Sequence, residues 1–389
     1  MSARPSAPPD LASGLEAIAA GELGEERLEV YARLRSEAPV HWSDTLGAWV
    51  LARYPDVRAA LEDRRLRPIT EGPGASVFGG GFFHWDGREH GKKSGILTRR
   101  IRSPRGLREL RPAIDAIARR VAGELPFREE VDLRERFTIQ VPLLVISELT
   151  AIDDAPRLRG WYDAIMAGGT SSIGNPAARA AGLEAMESLR AYLRPLLAER
   201  RERPGRDVVS DYVNATYDGA PLPGEEIVAV VGQLLPAGVE TTERVLTSAL
   251  RELALAPALW DEVRQGREDE ALLASFGAEA LRLFPPIQAA NRVVRAPLDL
   301  AGVRLEPGDR VVSVIASANR DGERFAEPDR FDPRRFLPRP DRQFTAAGDI
   351  LPFGAGEHHC AGSRLAGAEM VSALRAILDR AGRIELLDD

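Results

Sequence analysis

A single cysteine, Cys360, lies in a segment rich in glycine and histidine, Phe353-Gly-Ala-Gly-Glu-His-His-Cys-Ala-Gly362. A helical pattern begins directly after it, so the thiol would lie near free backbone N–H groups and the positive end of a helix dipole, which favour the thiolate. A lone cysteine is most often a small buried hydrophobe, but this loop does not read as core sequence. A zinc site from His358, His359 and Cys360 is disfavoured because such close neighbours give poor tetrahedral geometry.

A carboxylate and two hydroxyls, Glu240, Thr241 and Thr242, lie in the middle of the longest helical pattern, residues 225–256. The surrounding residues are apolar on all sides, which is typical of a buried helix, and buried polar groups are costly unless they are used. One alternative is that Thr241 bonds back to its own helix while Glu240 reaches solvent. Pro236 has no N–H to donate, so we expect it to distort the helix just before these residues.

Glu279 and Arg282 place opposite charges three residues apart, on one helical face. Most such pairs are solvated surface pairs that contribute a few tenths of a kcal/mol. Here the neighbouring residues are apolar and two prolines follow, at positions 285 and 286, which favours a buried pair.

These segments together resemble the cytochrome P450 family. Residues 353–362 are similar to its haem-binding signature, and Ala-Gly-x-Glu-Thr at residues 237–241 is similar to its oxygen-activation motif. Glu279-x-x-Arg282 resembles the family's Glu-x-x-Arg helix, and the later segment at residues 331–336 resembles its partner. The resemblance covers roughly residues 54–379.

The resemblance implies haem b as the cofactor, with Cys360 as the axial thiolate of its iron. Glu240 and Thr241 would be catalytic, since they would deliver the protons that oxygen activation requires. Gly238 would let substrate or oxygen approach the backbone. The implied cofactor-binding residues are His90, Arg292, Phe353, His358, Cys360, Gly362, Ala237 and Gly238. The implied structural network, which would fix the cysteine loop, is Glu279, Arg282 and Arg335. The implied substrate contacts are Phe82, Phe83, Leu234, Val239, Ile287, Ala289, Ala290 and Asn291.

One region departs from the family pattern, which places an arginine four residues after a histidine so that both bind a haem propionate. Here His90 matches, but Ser94 replaces the arginine. Lys93 or Arg99 would be the alternative source of positive charge, although a solvated side chain is the better interpretation of Arg99.

The implied reaction is insertion of one oxygen atom from O2 into an apolar small molecule, by hydroxylation or epoxidation. Because the chain shows no flavin fingerprint and has too few cysteines for an iron–sulfur cluster, the two electrons must come from external partners, by analogy a ferredoxin and its reductase. Five arginines, Arg99, Arg100, Arg102, Arg105 and Arg108, would steer an acidic ferredoxin, or would simply form a solvated helix face. The alternatives are a peroxide-dependent peroxygenase, a non-catalytic haem-binding sensor or recruitment protein, and a haem-free protein with a structural Cys360.

The implied fold is mainly α, a single large helical domain over residues 1–389 with a small β-rich part. Haem would lie between the long central helix and the cysteine loop. Helical patterns run over residues 15–38, 112–124, 136–149, 157–167, 178–202, 225–256 and 272–284. Strand patterns run over residues 48–51, 293–300 and 309–317. We expect residues 1–10 to form a disordered tail.

The composition limits the partners. Lys and Arg number 52 against 59 Asp and Glu, and the net charge of −7 excludes a generally basic nucleic-acid binder. No signal peptide and no apolar run long enough for a membrane span is present, so we expect a cytoplasmic protein of secondary metabolism without a membrane anchor.

Overall fold

A computed structural model of the chain describes residues 5–20, 22–24, 26–69, 77, 80–126, 128–170 and 175–387. Contacts within the chain divide it into two compact units. The first unit combines residues 1–69 with residues 278–360, and the second combines residues 70–277 with residues 361–389. The first unit is therefore assembled from two stretches of chain that are far apart in sequence.

Helices dominate the described residues, which confirms the mainly α expectation. The helices are Pro9–Ala20, Arg27–Glu37, Tyr54–Glu62, Gly87–Ile101, Pro104–Gly123, Gln140–Thr150, Ala155–Thr170, Pro176–Glu202, Val208–Val213, Gly224–Leu235, Thr241–Leu255, Pro257–Gln265, Glu270–Leu283, Ile315–Ala318 and Ser363–Arg380. The strands are β1 (Val40–Ser43), β2 (Ala48–Leu51), β3 (Leu66–Pro68), β4 (Thr216–Tyr217), β5 (Ala220–Pro221), β6 (Ala290–Val294), β7 (Leu298–Leu300), β8 (Val303–Leu305) and β9 (Arg310–Ser313). Within the described ranges, no helix combines the length and the apolar run that crossing a bilayer requires.

The first unit holds a sheet with the strand order β1-β2-β9-β6-β3. β2 pairs with β9 in parallel, with Trp49 opposite Val311, and the other neighbours are antiparallel. The separate hairpin of β7 and β8 turns at Ala301 and Gly302, which both have positive φ angles. This sheet fixes the position of β6, on which several of the implied binding residues lie.

The second unit is helical, and its core surrounds one long helix, residues 224–255, here called the central helix. It consists of an α-helical part, Gly224–Leu235, a π-helical turn, Pro236–Glu240, and a second α-helical part, Thr241–Leu255. The π-turn begins at the proline, as expected for a residue that cannot donate a helical hydrogen bond. The first α-helical part is buried from Ile227 onwards, which fits its apolar sequence.

Several sequence-based boundaries were wrong. The predicted helix over residues 15–38 is two helices, and the predicted strand over residues 293–300 is split between β6 and β7. The strand predicted over residues 309–317 ends at Ser313 and gives way to a short helix, because a short apolar run fits a strand and a buried helix equally well.

The predicted disordered tail was also wrong for residues 5–10. The Pro5 carbonyl accepts the N–H of Trp42, Ser6 forms a bridge with Trp42, and a helix begins at Pro9. Leu11 is buried and holds this segment against the first unit. Residues 1–4 lie outside the described residues.

Candidate active site

The cysteine loop, residues 351–360, is a tightly turned segment of the first unit. Gly356 has a φ angle of +67°, and a Cβ there would lie only 2.9 Å from the Cα atom of Glu62. Both the left-handed backbone and the close approach therefore require glycine. The N–H of Cys360 donates to the Phe353 carbonyl at 2.8 Å, which closes the loop, and Cys360 is exposed. The backbone thus presents the thiol instead of burying it.

Glu279, Arg282 and Arg335 meet in a buried ion network in the same unit. Arg282 donates from Nε and Nη2 to the Glu279 carboxylate at 2.7 and 2.8 Å, and Arg335 donates from Nε at 3.0 and 3.1 Å. The side chains of Glu279 and Arg282 are both 0% exposed. Because one carboxylate serves two guanidinium groups, the remaining N–H groups bind backbone carbonyls. Those carbonyls belong to Asn319, Ala326, Glu327, Pro328 and Arg330.

Asn319 connects this network to the cysteine loop. Arg282 Nη1 donates to the Asn319 carbonyl at 3.0 Å, and Asn319 Oδ1 accepts the N–H of Leu351 at 3.0 Å. The Leu351 carbonyl then accepts the N–H of Gly354 at 2.9 Å. The network is therefore linked by hydrogen bonds to the segment that presents the thiol.

Arg292 lies on β6, and its guanidinium is partly desolvated. The one hydrogen bond that its guanidinium forms with a described residue runs to the neighbouring Asn291 carbonyl at 2.9 Å, and burial lowers the pKa of the guanidinium. No carboxylate of the described residues forms an ion pair with it. A guanidinium in this situation is suited to an anionic ligand such as a carboxylate.

The remaining implied residues of the first unit lie close in sequence to Arg292 or to Cys360. Ile287 is 47% exposed, Ala289 and Ala290 are half-buried, and Asn291 is exposed. Phe353 is half-buried with its ring centroid 5.9 Å from that of Phe344, and His358 is half-buried in the turn Gly356–His358. Ile287, Ala289 and Ala290 leave apolar side-chain surface that a ligand can cover.

The π-turn of the central helix holds the acid and the alcohol in the second unit. Thr241 Oγ1 donates to the Ala237 carbonyl at 2.8 Å. This is the back-bonded arrangement that the sequence left open, and the hydroxyl oxygen keeps its capacity to accept a hydrogen bond. Ala237 and Thr241 are both half-buried.

Glu240 does not reach solvent freely, because both of its carboxylate oxygens have donors. The Tyr162 hydroxyl donates to Oε2, and Arg244 places both Nε and Nη2 2.5 Å from Oε1. One turn further along, Glu243 pairs with Arg134 at 3.1 Å, and burial raises the pKa of Glu243. The carboxylate predicted to be catalytic is thus held from two sides.

Three of the residues predicted to contact ligands on the central helix lie against or within the core of the second unit. A Cβ at Gly238 would lie 2.6 Å from Ile146 Cδ1, so a core side chain occupies the space on that side of the glycine, which is itself half-buried. Val239 is 0% exposed and Leu234 is 5% exposed, both within the hydrophobic core of the second unit. In this structure these two side chains have almost no open surface for a substrate.

Phe82 and Phe83 form an edge-to-face pair with ring centroids 4.7 Å apart. Phe82 packs against the core of the second unit, whereas Phe83 is 41% exposed. The N–H of Phe83 donates to Oε1 of the buried Gln233 at 2.9 Å. The central helix therefore anchors the loop that carries both aromatic side chains.

Lys93, one alternative source of the positive charge, is buried and paired within the second unit. Its Nζ lies 2.6 Å from the Glu89 carboxylate, contacts Glu226, and sits over the ring of Trp85. Lys93 therefore forms ion pairs with two carboxylates of its own unit. Arg99 is exposed, which fits its interpretation as a solvated side chain.

Comparison with known proteins identifies the family. A family model for "Cytochrome P450" matches residues 178–380, more than half of the chain. Cytochrome P450 107B1 of Saccharopolyspora erythraea is 32% identical over 96% of this chain and 90% of its own length. The chain belongs to the cytochrome P450 family.

Two further relatives are informative for this P450. The erythromycin C-12 hydroxylase of Saccharopolyspora erythraea is 31% identical over 90% of this chain and 86% of its own. The crystal structure of the P450 enzyme CYP109B1 from Bacillus subtilis matches with a TM-score of 0.78 at 27% identity, covering 93% of each chain. The protein is therefore a monooxygenase with the P450 fold, and its cofactor is haem b.

The residues of the first unit fit that cofactor. An exposed thiol on a loop whose shape requires glycine offers the soft ligand that haem iron takes in this family. Arg292 offers a desolvated positive charge for a propionate. In the second unit, His90 and Gly362 are half-buried, with Gly362 directly before the helix Ser363–Arg380.

Sequence reasoning missed several residues that hold the P450 site. Tyr162 looks like an ordinary core aromatic in its helix, and nothing in its neighbourhood points to Glu240, which lies 78 residues away. Gln233 is a single polar residue in an apolar stretch, which is a signal, but its partner is distant in sequence. Asn319 lies among the polar residues Ser317, Arg320 and Asp321, so its residue type does not single it out. Arg244, four residues after Glu240 on the same helix, was detectable from spacing alone.

Proposed function

We propose that this P450 uses O2 and electrons from an acidic ferredoxin to insert one oxygen atom into an apolar small-molecule substrate, by hydroxylation or epoxidation. Cys360 would be the axial ligand of the haem iron, and Arg292 would pair with a haem propionate. Glu240 and Thr241 would supply protons. Haem b, when bound, supplies the iron at which dioxygen is activated, and an axial thiolate favours O–O cleavage.

The observation that carries this proposal is the acid–alcohol pair at a π-turn of a buried apolar helix. Glu240 and Thr241 are half-buried polar groups in the middle of an otherwise apolar helix, at the positions of the acid and the alcohol in the motif that the sequence resembles. Proton delivery is a use for such a pair, because reduction of O2 to water and product consumes protons. A peroxygenase has no such need, since peroxide already carries its protons, so the pair favours O2 over peroxide.

The chain's own residues would divide the work as follows. Glu240 would accept a proton from the solvent side and pass it inward. The Thr241 hydroxyl donates its hydrogen to the Ala237 carbonyl. Its oxygen would therefore accept a hydrogen bond from the proton donor and so orient the incoming proton. The apolar side chains of Ile287, Ala289 and Ala290 would bind the substrate and exclude water.

The ferredoxin would bind at the arginine cluster of the second unit. Two of the five predicted arginines are already paired, Arg100 with Asp211 at 2.5 and 2.9 Å and Arg105 with Glu109 at 2.9 Å. Arg99 and Arg108 are exposed and Arg102 is half-buried, so these three carry the positive charge that would steer an acidic partner.

The substrate class follows from the apolar surface and from one relative. The relative named erythromycin C-12 hydroxylase suggests a substrate of comparable size and an oxygen inserted at carbon. An optical titration of the ferric holoprotein against macrolides, terpenoids, steroids and fatty acids should find compounds that shift the iron from low to high spin. A panel in which only small polar compounds shift the spectrum would contradict the proposal.

Three measurements test the reaction itself. The CO difference spectrum of the reduced protein should show thiolate ligation, and Cys360→Ser should abolish that spectrum. Product formation should be faster with ferredoxin, reductase and NAD(P)H than with hydrogen peroxide; the reverse order would make the protein a peroxygenase. Arg102→Glu should slow reduction by ferredoxin but not by dithionite, whereas Arg119→Glu, an exposed arginine on the same helix as Arg105, should slow neither.

A further inference from the structure

Tyr162 is a buried phenol aimed at the carboxylate of the acid–alcohol pair. It lies on the helix Ala155–Thr170, is 2% exposed, and packs in the hydrophobic core of the second unit. Its hydroxyl donates to Glu240 Oε2. A buried phenol needs a partner for its O–H, and here that partner is a carboxylate predicted to be catalytic.

Glu240 is held differently at its two oxygens. Oε2 is bound by the enclosed Tyr162, whereas Oε1 is bound by Arg244, whose side chain is 60% exposed. An ion pair with an exposed arginine is weak and opens readily, since water competes for both charges. The bond to the buried phenol has no such competitor. One oxygen therefore has a fixed donor, and the other has a donor that solvent can replace.

Tyr162 remains a donor at every working pH. Burial first, and then the hydrogen bond to Glu240, raise the pKa of its phenol far above the usual value. The proton therefore stays on the Tyr162 oxygen, and the residue acts as a fixed hydrogen-bond donor and not as an acid. The other charged groups near this pair are Glu243 and Arg134, which are bound to each other.

We propose that Tyr162 is a positioning residue that holds the Glu240 carboxylate in one orientation, so that a proton enters at Oε1 when the exposed Arg244 pair opens. This inference rests on the proposed role of Glu240 in proton supply. Without the phenol, the carboxylate rotates with Arg244 toward solvent, and electrons are lost to reduced oxygen species in place of product. Tyr162 thereby sets how tightly electron use is coupled to oxygen insertion.

Tyr162→Phe in the holoprotein tests this, because it removes one oxygen atom and keeps the ring. We expect unchanged substrate affinity and spin shift, while product formed per NAD(P)H falls roughly tenfold, as for a misplaced acid–base group. The matched control is Tyr192→Phe, which removes a phenol bonded to Asp153 at 3.3 Å and should leave coupling unchanged. Equal coupling in wild type and Tyr162→Phe would overturn the proposal.

Two comparisons separate positioning from a general structural role. In a Glu240→Gln background, Tyr162→Phe should cause no further loss of coupling, because Tyr162 acts through Glu240; an equal loss in both backgrounds would contradict the proposal. The infrared difference between wild type and Glu240→Gln identifies the Glu240 carboxylate band, and Tyr162→Phe should shift that band while Tyr192→Phe does not.

The infrared measurement also distinguishes two kinds of failure. If the wild type forms no product with ferredoxin and O2, the proposed function fails, but the band still reports whether Tyr162 holds the carboxylate. If turnover is normal and the band does not respond to Tyr162→Phe, the positioning role is wrong and the proposed function stands.

Discussion

Arg282 fixes the backbone of Asn319, and the side chain of that asparagine fixes the cysteine loop. The guanidinium donates to the Asn319 carbonyl at 3.0 Å, and Asn319 Oδ1 accepts the buried N–H of Leu351 at 3.0 Å. A buried ion network contributes little net stability by itself. Its value here lies in the continuous set of hydrogen bonds that runs through Asn319 and Leu351 to Gly354, next to Phe353.

Replacing Asn319 by alanine should loosen this connection. The N–H of Leu351, which is 1% exposed, would lose its acceptor at a cost of about 1–3 kcal/mol. We expect a lower haem content and a larger fraction of protein without the thiolate-type CO spectrum. Asn214→Ala, which removes an asparagine bonded to the carbonyls of Arg200 and Ser210, is the control and should keep both properties. Full haem content in Asn319→Ala would contradict this role.

Glu279→Gln should be far more damaging. It leaves Arg282, which is fully buried, and Arg335 without a balancing charge, and an uncompensated buried charge costs about 3–5 kcal/mol. Urea unfolding should show that loss, and little holoprotein should accumulate. Glu327→Gln breaks an exposed pair with Arg330 and should change the free energy of unfolding by less than about 1 kcal/mol. A similar effect of both substitutions would show that burial does not decide the cost.

Gly356→Ala should damage the cysteine loop for a steric reason. The residue has a φ of +67°, and the added Cβ would meet the backbone of Glu62 at 2.9 Å. Left-handed strain alone costs on the order of 1 kcal/mol. Gly308→Ala separates the two effects, because Gly308 has a φ of +94° and nothing within 4 Å of its Cβ position. The thiolate-type CO spectrum should be lost in Gly356→Ala and kept in Gly308→Ala. If both variants kept the spectrum, a steric clash between residue 356 and Glu62 would not decide the shape of the cysteine loop.

Glu369 should make stability depend on pH. Burial without a hydrogen bond to Oε2 raises the pKa of this carboxyl to about 8 from 4.5. The folded protein therefore keeps a proton that the unfolded chain releases, so the contribution of Glu369 is most favourable below about pH 4.5 and is lost as the pH rises through about 8. Glu369→Gln should be more stable than wild type, and by more at pH 8 than at pH 5. Replacing the exposed Glu268 by glutamine should show no such trend. If the difference in the free energy of unfolding between Glu369→Gln and wild type were the same at pH 5 and pH 8, Glu369 would not have the raised pKa.

The sequence predicted which residue types form the site better than it predicted which residues contact one another. The cysteine loop, the acid–alcohol pair and the Glu279–Arg282 pair were all recognisable, because each is a local pattern of residue types at fixed spacing. Tyr162 and Asn319 were not, because each acts on a partner brought near only by the fold. The long helix was predicted at nearly its full length, and Pro236 did signal the π-turn. The closeness of Ile146 to Gly238, in contrast, could not be predicted, because the two residues lie 92 positions apart and only the fold brings them together.

The parallel pairing of β2 with β9 also has a consequence for how the protein is made. β2 ends at residue 51, but β9 is complete only when residue 313 has been synthesised. At typical elongation rates the ribosome needs on the order of tens of seconds to cover that distance. The early strands must wait with an open edge during this time, while the helical unit can begin to fold. The sheet of the first unit is therefore completed only after residues 70–277 of the second unit have been made, because those residues precede β9 in the chain.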